Sequence, residues 1–319
     1  LALSASFTTS CNSVRGRSAL RFATSSRLYS IIFCSVIVIG TSVAKGNGGM
    51  PEVEATTTHF LEVLLAVFAL AIGIWFIRSS QSSLPRQGYL DPAITPTMAI
   101  LLAASTLFLG VLGAWVGITQ VPIDREGTLF ATAWISAGAM LAQIPVLMAY
   151  ATLRKRCGSR NITQVALIGY IVFVPLALAT ASVVHIFLAK LGVEPFEIVG
   201  HKTLALLLEG ELDSSAWVVI LCATIGAGIT EEVFYRGLLL PTFVALFNRK
   251  TAWGAIIVTS ILFACMHAEV ATYSAMAGLF VLSLGLCWAR VKSSGVLAPI
   301  VIHIVFNAMN IAIVYSTTL

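Results

Sequence analysis

The sequence contains very little charge for its length. Only 10% of its 319 residues are Asp, Glu, Lys or Arg, whereas 58% are apolar, and the mean hydropathy is +0.94. A soluble domain typically has roughly 25% charged and roughly 45–50% apolar residues. So few charges cannot cover a water-facing surface of this size, which excludes an ordinary soluble enzyme, a disordered regulator and a coiled coil. The composition therefore indicates a helical protein that crosses the membrane several times.

Closely spaced cysteine pairs and zinc-protease signatures are absent. The six cysteines form no C-x-x-C motif and mostly lie in apolar runs, where they are expected to act as small hydrophobic residues. The sequence has no H-E-x-x-H motif. The net charge of +5 does not indicate nucleic acid, because the basic residues of membrane proteins usually lie in cytoplasmic loops. We expect the lipid bilayer, and no nucleic acid, as a partner.

Residues 1–49 differ in composition from the rest of the chain. The segment begins with Leu1, is rich in Ser and Arg up to residue 28, and continues into a short apolar run at 31–44. This pattern is typical of a signal peptide. Two alternatives are translated upstream sequence before a start at Met50, and an additional short span. In each case we leave residues 1–49 out of the predicted fold.

Eight later segments are long and apolar enough to cross a bilayer, which takes about 20 residues in a helix. We expect these spans near residues 58–77, 96–120, 128–152, 163–190, 216–240, 251–268, 271–290 and 296–315. The polar connection 191–215 is expected to hold a short surface helix around 204–208, and there is no internal repeat. The sequence therefore predicts an all-α bundle of about eight transmembrane helices, with an N-terminal region of four helices at 50–214 and a second region at 215–319.

The charges of the connections predict the orientation of the bundle. Alternate connections carry the basic residues Arg78, Arg86, Arg154, Lys155, Arg156, Arg160, Arg249, Lys250, Arg290 and Lys292. The opposite side carries mainly acids, namely Glu52, Glu54, Glu194, Glu197, Glu209, Glu211, Asp213 and Glu269. Basic loops remain in the cytoplasm. We therefore expect both ends of an eight-span core to face outward.

Two adjacent acids and an arginine lie within the apolar span 216–240. Intramembrane charges are costly, which makes each of them a candidate functional residue. Glu232 and Arg236 are separated by four residues with the acid first, the favourable arrangement for an ion pair on a helix. Glu231 lies about 100° further around the helix, has no local partner and can face a polar cavity. The alternative is a purely structural role, in which the three charged residues form an ion network that holds helices together.

Histidines provide the remaining polar groups of this region. His267 ends the span 251–268, and His303 and Asn307 share one face of the last span. A single membrane histidine is often only a bridge between helices, and we assign that role to His185. His59 and His201 are expected to be boundary or loop residues without chemistry.

Spacing places Glu231 and His267 at the same depth. Glu231 lies 17 residues before Asn248 and His267 lies 17 residues after Lys250, on two antiparallel helices joined by that short turn. A buried carboxylate beside an imidazole can activate water. His303 and Asn307 on a facing helix could stabilise an oxyanion. Alternatively, the three groups Glu231, His267 and His303 could bind a divalent metal such as zinc.

These motifs, in this order on successive spans, resemble those of the CPBP family. They are Glu231-Glu232-x-x-x-Arg236, Phe263-x-x-x-His267 and His303-x-x-x-Asn307, with Tyr235-Arg236-Gly237-Leu238 continuing the first. The family comprises type II CAAX prenyl endopeptidases and bacteriocin-processing or self-immunity (Abi) proteins. The resemblance covers about residues 215–315 and marks 215–319 as the catalytic core.

The resemblance implies an intramembrane endopeptidase. Glu231 would be the general base on water, which His267 would position. His303 and Asn307 would stabilise the oxyanion, while Glu232 and Arg236 would hold the geometry. Family members are commonly labelled metalloproteases, yet a metal-free glutamate mechanism is also argued for them.

The expected substrate is a membrane-embedded or lipidated peptide or protein, in a bacterial inner membrane or a eukaryotic endomembrane. One alternative function is a non-catalytic immunity or scaffold protein that binds a membrane peptide. Another is a transporter or proton channel, which would need more polar residues in the first four spans than the sequence provides.

Overall fold

The computed structural model describes residues 94–154, 161–194, 200–247 and 252–316. Within these ranges the chain is helical, and its β-structure is one isolated bridge between His201 and Ala271. The helices are α1 (Pro96–Ile118), α2 (Leu129–Leu153), α3 (Ile162–Lys190), α4 (Lys202–Glu209), α5 (Ser214–Leu246), α6 (Ala252–Cys265), α7 (Tyr273–Ser293) and α8 (Leu297–Ser316). Two π-helical segments, Cys222–Gly226 and Val233–Leu239, interrupt α5.

The predicted helical membrane bundle is confirmed in the described part of the chain. The helices α1, α2, α3, α5 and α7 are long and apolar enough to cross a membrane, whereas α6 and the Leu297–Ile313 part of α8 are shorter apolar helices. The chain is therefore an integral membrane protein. The predicted span 58–77, the segment 1–49 and His59 lie outside the described residues. The proposed division at 214/215 remains a prediction.

Two helix boundaries differ from the prediction in a way that affects the site. Helix α5 is 33 residues long and extends beyond the predicted 216–240 at both ends. Helix α6 has only 14 residues, or about 21 Å at 1.5 Å per residue, and ends at Cys265. Residues 266–271 turn instead, with Ala268 N donating to Cys265 O and Ala271 N donating to His267 O. His267 is therefore a turn residue.

Arg290 and Lys292 correct the predicted charge pattern. They were expected in a basic connection, but both lie in the last turn of α7. The Arg290 side chain is buried, and its Nε donates to the Arg236 carbonyl oxygen at 3.1 Å. A hydropathy pattern predicts that a span ends at its first charged residue. A buried backbone carbonyl that accepts from an arginine can, however, keep that arginine within the helix bundle. The orientation remains a prediction, since most of the other basic residues used for it lie outside the described ranges.

Small residues allow the closest helix contacts. Helix α1 packs on α2, where a Cβ at Gly113 would collide with the Gly138 carbonyl oxygen, as expected for helices joined through small residues. Helix α3 packs on α7, and α8 packs against both α3 and α5. A side chain at Gly228 of α5 would collide with Ile304 of α8. This approach holds His303 against α5.

Glu194 ties the end of α3 to the start of α7. Its Oε1 accepts a hydrogen bond from Ser274 N at 3.0 Å, and its Oε2 lies 3.1 Å from His185 Nδ1. Burial acts to raise the pKa of the Glu194 carboxyl, but the bonds from His185 and Ser274 outweigh it and hold this pKa below its usual range. His185 thus contacts the connection after α3 through Glu194.

Replacing Glu194 with glutamine should destabilise the protein at neutral pH by about 1.5–3 kcal/mol, the range for a hydrogen bond to a charged group. A carboxyl whose pKa is lower in the folded state stabilises the fold above its unfolded pKa of about 4.3, and this stabilisation is lost as the pH falls through the folded pKa. Thermal denaturation of detergent-solubilised protein should therefore separate Glu194→Gln from wild type at pH 7, with the difference shrinking in acid. Glu209→Gln at an exposed site is the control, and an undiminished difference in acid would contradict the account.

Candidate active site

The four predicted catalytic residues, Glu231, His267, His303 and Asn307, line one cavity of about 660 Å³ between the helices. Most of the cavity wall is apolar and comes from α1, α2, α3, α5 and α8. The ionisable and amide side chains of the wall are Gln143, His201, Cys222, Glu231, Tyr235, His267, His303, Asn307 and Asn310. A large apolar pocket with a few convergent polar groups is the usual form of a ligand site.

Glu231 and His267 approach each other across this cavity. The Glu231 Oε2 atom lies 3.9 Å from His267 Nε2, and the two side chains are 29% and 17% exposed. The Glu231 Oε2 atom is itself buried and has no hydrogen-bond partner. A separation of 3.9 Å is too long for a direct hydrogen bond and leaves room for a bridging group.

The backbone fixes which nitrogen of His267 faces Glu231. His267 Nδ1 lies 2.8 Å from the Phe263 carbonyl oxygen, which can only accept, so Nδ1 carries the proton and donates. In the neutral ring Nε2 is then an acceptor. Two acceptors, a carboxylate oxygen and an imidazole nitrogen, thus face each other. The two O–H groups of one water molecule can satisfy both, which leaves the water lone pairs directed away from them.

Glu232 and Arg236 form the predicted ion pair at the back of the site. Both side chains are fully buried, and Arg236 Nη1 donates to Glu232 Oε1 at 2.8 Å. Arg236 Nη2 also donates to the Ser283 hydroxyl oxygen at 2.6 Å, which joins α5 to α7. The guanidinium lies 4.6 Å from the centre of the Phe263 ring, within cation–π range. The pair therefore connects α5, α6 and α7.

His303 belongs to this buried pair. Its Nδ1 lies 2.8 Å from Glu232 Oε1, and the residue is only 3% exposed. Since an ionised carboxylate accepts, Nδ1 donates the proton and a neutral ring would present Nε2 as an acceptor. The predicted oxyanion role therefore requires the protonated imidazolium. The Phe263 ring contacts both His303 and His267, at centroid distances of 5.9 and 4.9 Å, and keeps them apart.

Asn307 also contacts α5. Its Nδ2 donates to the Ala223 carbonyl oxygen at 2.7 Å, which uses one of the two amide hydrogens. Ala223 lies in the first π-helical segment, where the backbone is wider than in an α-helix. The second π-helical segment begins directly after Glu232. Such segments are frequent at functional sites, but no reliable pattern in the sequence predicts them.

His201 is a site residue that the sequence did not predict. It lines the cavity, and its ring lies 6.4 Å from that of His267 in an edge-to-face arrangement. Its Nδ1 accepts from Thr203 N at 3.2 Å, so it caps α4. Burial, with a smaller contribution from His267, lowers the pKa of His201 to about 4. The only signal was an isolated histidine in a polar connection, which has no periodicity to interpret.

The predicted ligands of a metal do not come together as a metal site. A catalytic zinc ion usually has three protein ligands. Among the residues that the structure describes, no three His, Cys, Asp or Glu side chains are arranged to hold one ion. Glu231 and His267 face each other, but His303 is not grouped with them as a third ligand. The set of Glu231, His267 and His303 therefore does not fit a resident zinc ion.

Comparison with known proteins identifies the region that contains this site. Residues 213–309 match the family described as type II CAAX prenyl endopeptidase Rce1-like, which confirms the predicted resemblance for this part of the chain. An uncharacterized 24.3 kDa protein of Escherichia coli is 31% identical over 86 residues, which are 27% of this chain and 39% of that protein. The chain thus spans about two-fifths of the length of this relative. No solved structure matches.

Proposed function

We propose that this protein is a multi-pass intramembrane endopeptidase, since residues 213–309 match the family described as type II CAAX prenyl endopeptidase Rce1-like. The observation that carries the proposal is the pair of facing acceptors, Glu231 Oε2 and His267 Nε2, 3.9 Å apart in a cavity between apolar helices. A carboxylate and an imidazole at this spacing can orient one water molecule for attack on a peptide carbonyl. General bases of this type contribute roughly 10²–10⁴-fold to a rate.

In the proposed reaction, water held between Glu231 and His267 attacks the carbonyl carbon of the scissile bond. Glu231 accepts the proton from that water as the new C–O bond forms. The negative charge then moves to the former carbonyl oxygen, where the free amide hydrogen of Asn307 and a protonated His303 are candidate donors. Collapse of the intermediate breaks the C–N bond, and Glu231 passes its proton to the leaving amine.

Glu232 and Arg236 support this chemistry indirectly. Their ion pair fixes His303 through Glu232 and anchors α5 to α7 through Ser283. A displacement of about 1 Å can lower a rate about a hundredfold even when the chemistry itself is unchanged. Both residues are therefore positioning residues in this proposal.

The substrate class follows from the setting of the site. The polar groups lie in a cavity with a mostly apolar wall, which suits a membrane-embedded or lipidated peptide better than a soluble protein. The family name adds a prenylated C-terminal CAAX sequence as the most specific candidate. The bilayer is bacterial inner membrane or eukaryotic endomembrane.

The experiment compares the peptide termini in membranes from cells that produce wild type or Glu231→Ala. A terminus present only with wild type would establish a protease and name its substrate. Identical termini, with a biological phenotype retained by Glu231→Ala, would overturn the proposal in favour of a peptide-binding immunity or scaffold protein.

The proposed reaction needs no divalent metal. Because only two of the predicted ligands face each other, we expect purified active protein to keep its cleavage rate after dialysis against a zinc chelator. The measurement is the rate together with the zinc content per protein molecule. A rate that falls with the zinc content and recovers on adding zinc would show that the ligand set rearranges around an ion.

A further inference from the structure

The segment that carries His201 is fixed to the turn that carries His267. Lys202 N donates to Val270 O at 2.8 Å, and Thr272 N donates to Gly200 O at 3.1 Å. These two bonds flank the bridge between His201 and Ala271. The turn is also closed on itself, since Ala271 N donates to the His267 carbonyl oxygen at 2.8 Å. His201 is therefore held beside His267 by backbone bonds on both sides.

The hydrogen bonds of His201 decide which ring nitrogen carries the proton. Its Nδ1 accepts from the Thr203 backbone N–H, so Nδ1 carries no proton. In a neutral ring the proton must then be on Nε2, which becomes a fixed donor. The low pKa of His201 keeps the ring in this neutral form over the ordinary pH range. His201 is thus suited to donating one hydrogen bond and unsuited to taking up a proton.

The cavity needs such a donor. Of the groups assigned to the oxyanion, His303 can donate from Nε2 only when protonated, and Asn307 has one amide hydrogen left after bonding to Ala223. Two donors that need no change in protonation hold a developing oxyanion better than one. His201 lines the same cavity and makes the edge-to-face ring contact with His267.

We propose that His201 is a further catalytic residue, whose Nε2–H donates to the carbonyl oxygen of the scissile peptide and to the oxyanion formed from it. His201 lies outside residues 213–309, so the family match does not assign it. The inference rests on the proposed endopeptidase function and makes the connection before α5 a part of the active site.

The test uses variants that separate the two bonds of His201. His201→Ser keeps a good helix N-cap but is too short to replace the Nε2–H group. His201→Gln places an amide N–H near the position of Nε2 but is a poor cap. If His201 is a donor, His201→Ser should lower kcat about a hundredfold, since losing one oxyanion donor costs about 10²–10³ in kcat. His201→Gln should then retain more activity than His201→Ser. A purely structural cap predicts the reverse order.

The readout is the rate at which the wild-type-specific terminus appears in reconstituted membranes, with KM and kcat measured on that peptide. Thr95→Ala, which removes the side-chain cap of α1, is the control for loss of a cap. Wild-type kcat in His201→Ser would overturn the inference and leave the endopeptidase proposal intact. If no peptide terminus is specific to wild type when compared with Glu231→Ala, both the His201 inference and the endopeptidase proposal are overturned.

Discussion

Replacing Glu231 with glutamine should abolish cleavage without loosening the fold. Glutamine has nearly the same shape but cannot take a proton from water, so we expect a rate loss of at least about a hundredfold, within the range for a general base. Glu231 Oε2 has no hydrogen-bond partner within the described protein, so glutamine breaks no protein bond at this oxygen. The melting temperature of Glu231→Gln in detergent should therefore equal or exceed that of wild type.

The matched control for this variant is Glu209→Gln, an exposed acid at the end of α4 that should leave both rate and stability unchanged. His267→Phe tests the other acceptor, since it keeps an aromatic ring but removes Nε2, and it should also be inactive. Wild-type activity in Glu231→Gln would remove Glu231 from the mechanism. A large fall in its melting temperature would show that the carboxylate holds the bundle together.

The sequence predicted the contacts that depend on spacing along one helix or across one turn. The pair of Glu232 and Arg236 follows from the four-residue repeat of a helix, and that interaction is present at 2.8 Å. The approach of Glu231 to His267 follows from their equal distances in sequence to the connection between α5 and α6. These two relations need no knowledge of how the other helices are arranged.

The contacts that the sequence did not predict depend on how a helix is rotated about its own axis. His303 and Asn307 lie on one face of α8, as predicted, but spacing alone does not say which partners that face meets. The close approach at Gly228 brings His303 to Glu232, while Asn307 reaches Ala223. His201 was missed for another reason, because backbone bonds between two connections place it, and no side-chain periodicity records such bonds.

The site therefore combines two carboxylates with opposite tasks. Glu231 Oε2 faces His267 Nε2 across the cavity, whereas Glu232 Oε1, in the interior, accepts from both Arg236 and His303. The position of Glu231 in the cavity suits it to react with water, whereas the bonds of Glu232 make the packing of α5 and α8 more rigid. Substitutions at the two positions should consequently differ in their effect on stability even where both remove activity.

Replacing Arg236 with alanine should cost about 3–5 kcal/mol of stability, the range for breaking one side of a buried ion pair. The loss leaves the Glu232 carboxylate buried with only His303 as its partner and removes the bond from α5 to Ser283 on α7. We expect less folded protein in the membrane and little cleavage. Thermal denaturation and the amount of protein recovered in detergent measure the first effect, and cleavage per folded molecule measures the second.

The double variant Glu232→Gln/Arg236→Met separates charge from geometry. Because it leaves no unpaired charge, its stability should lie well above the value obtained by adding the two single losses. Its activity should remain low, since a neutral amide no longer holds His303 as the carboxylate does. Strict additivity of the stability losses would contradict the buried pair, and full activity in the double variant would show that the pair does not position the catalytic groups.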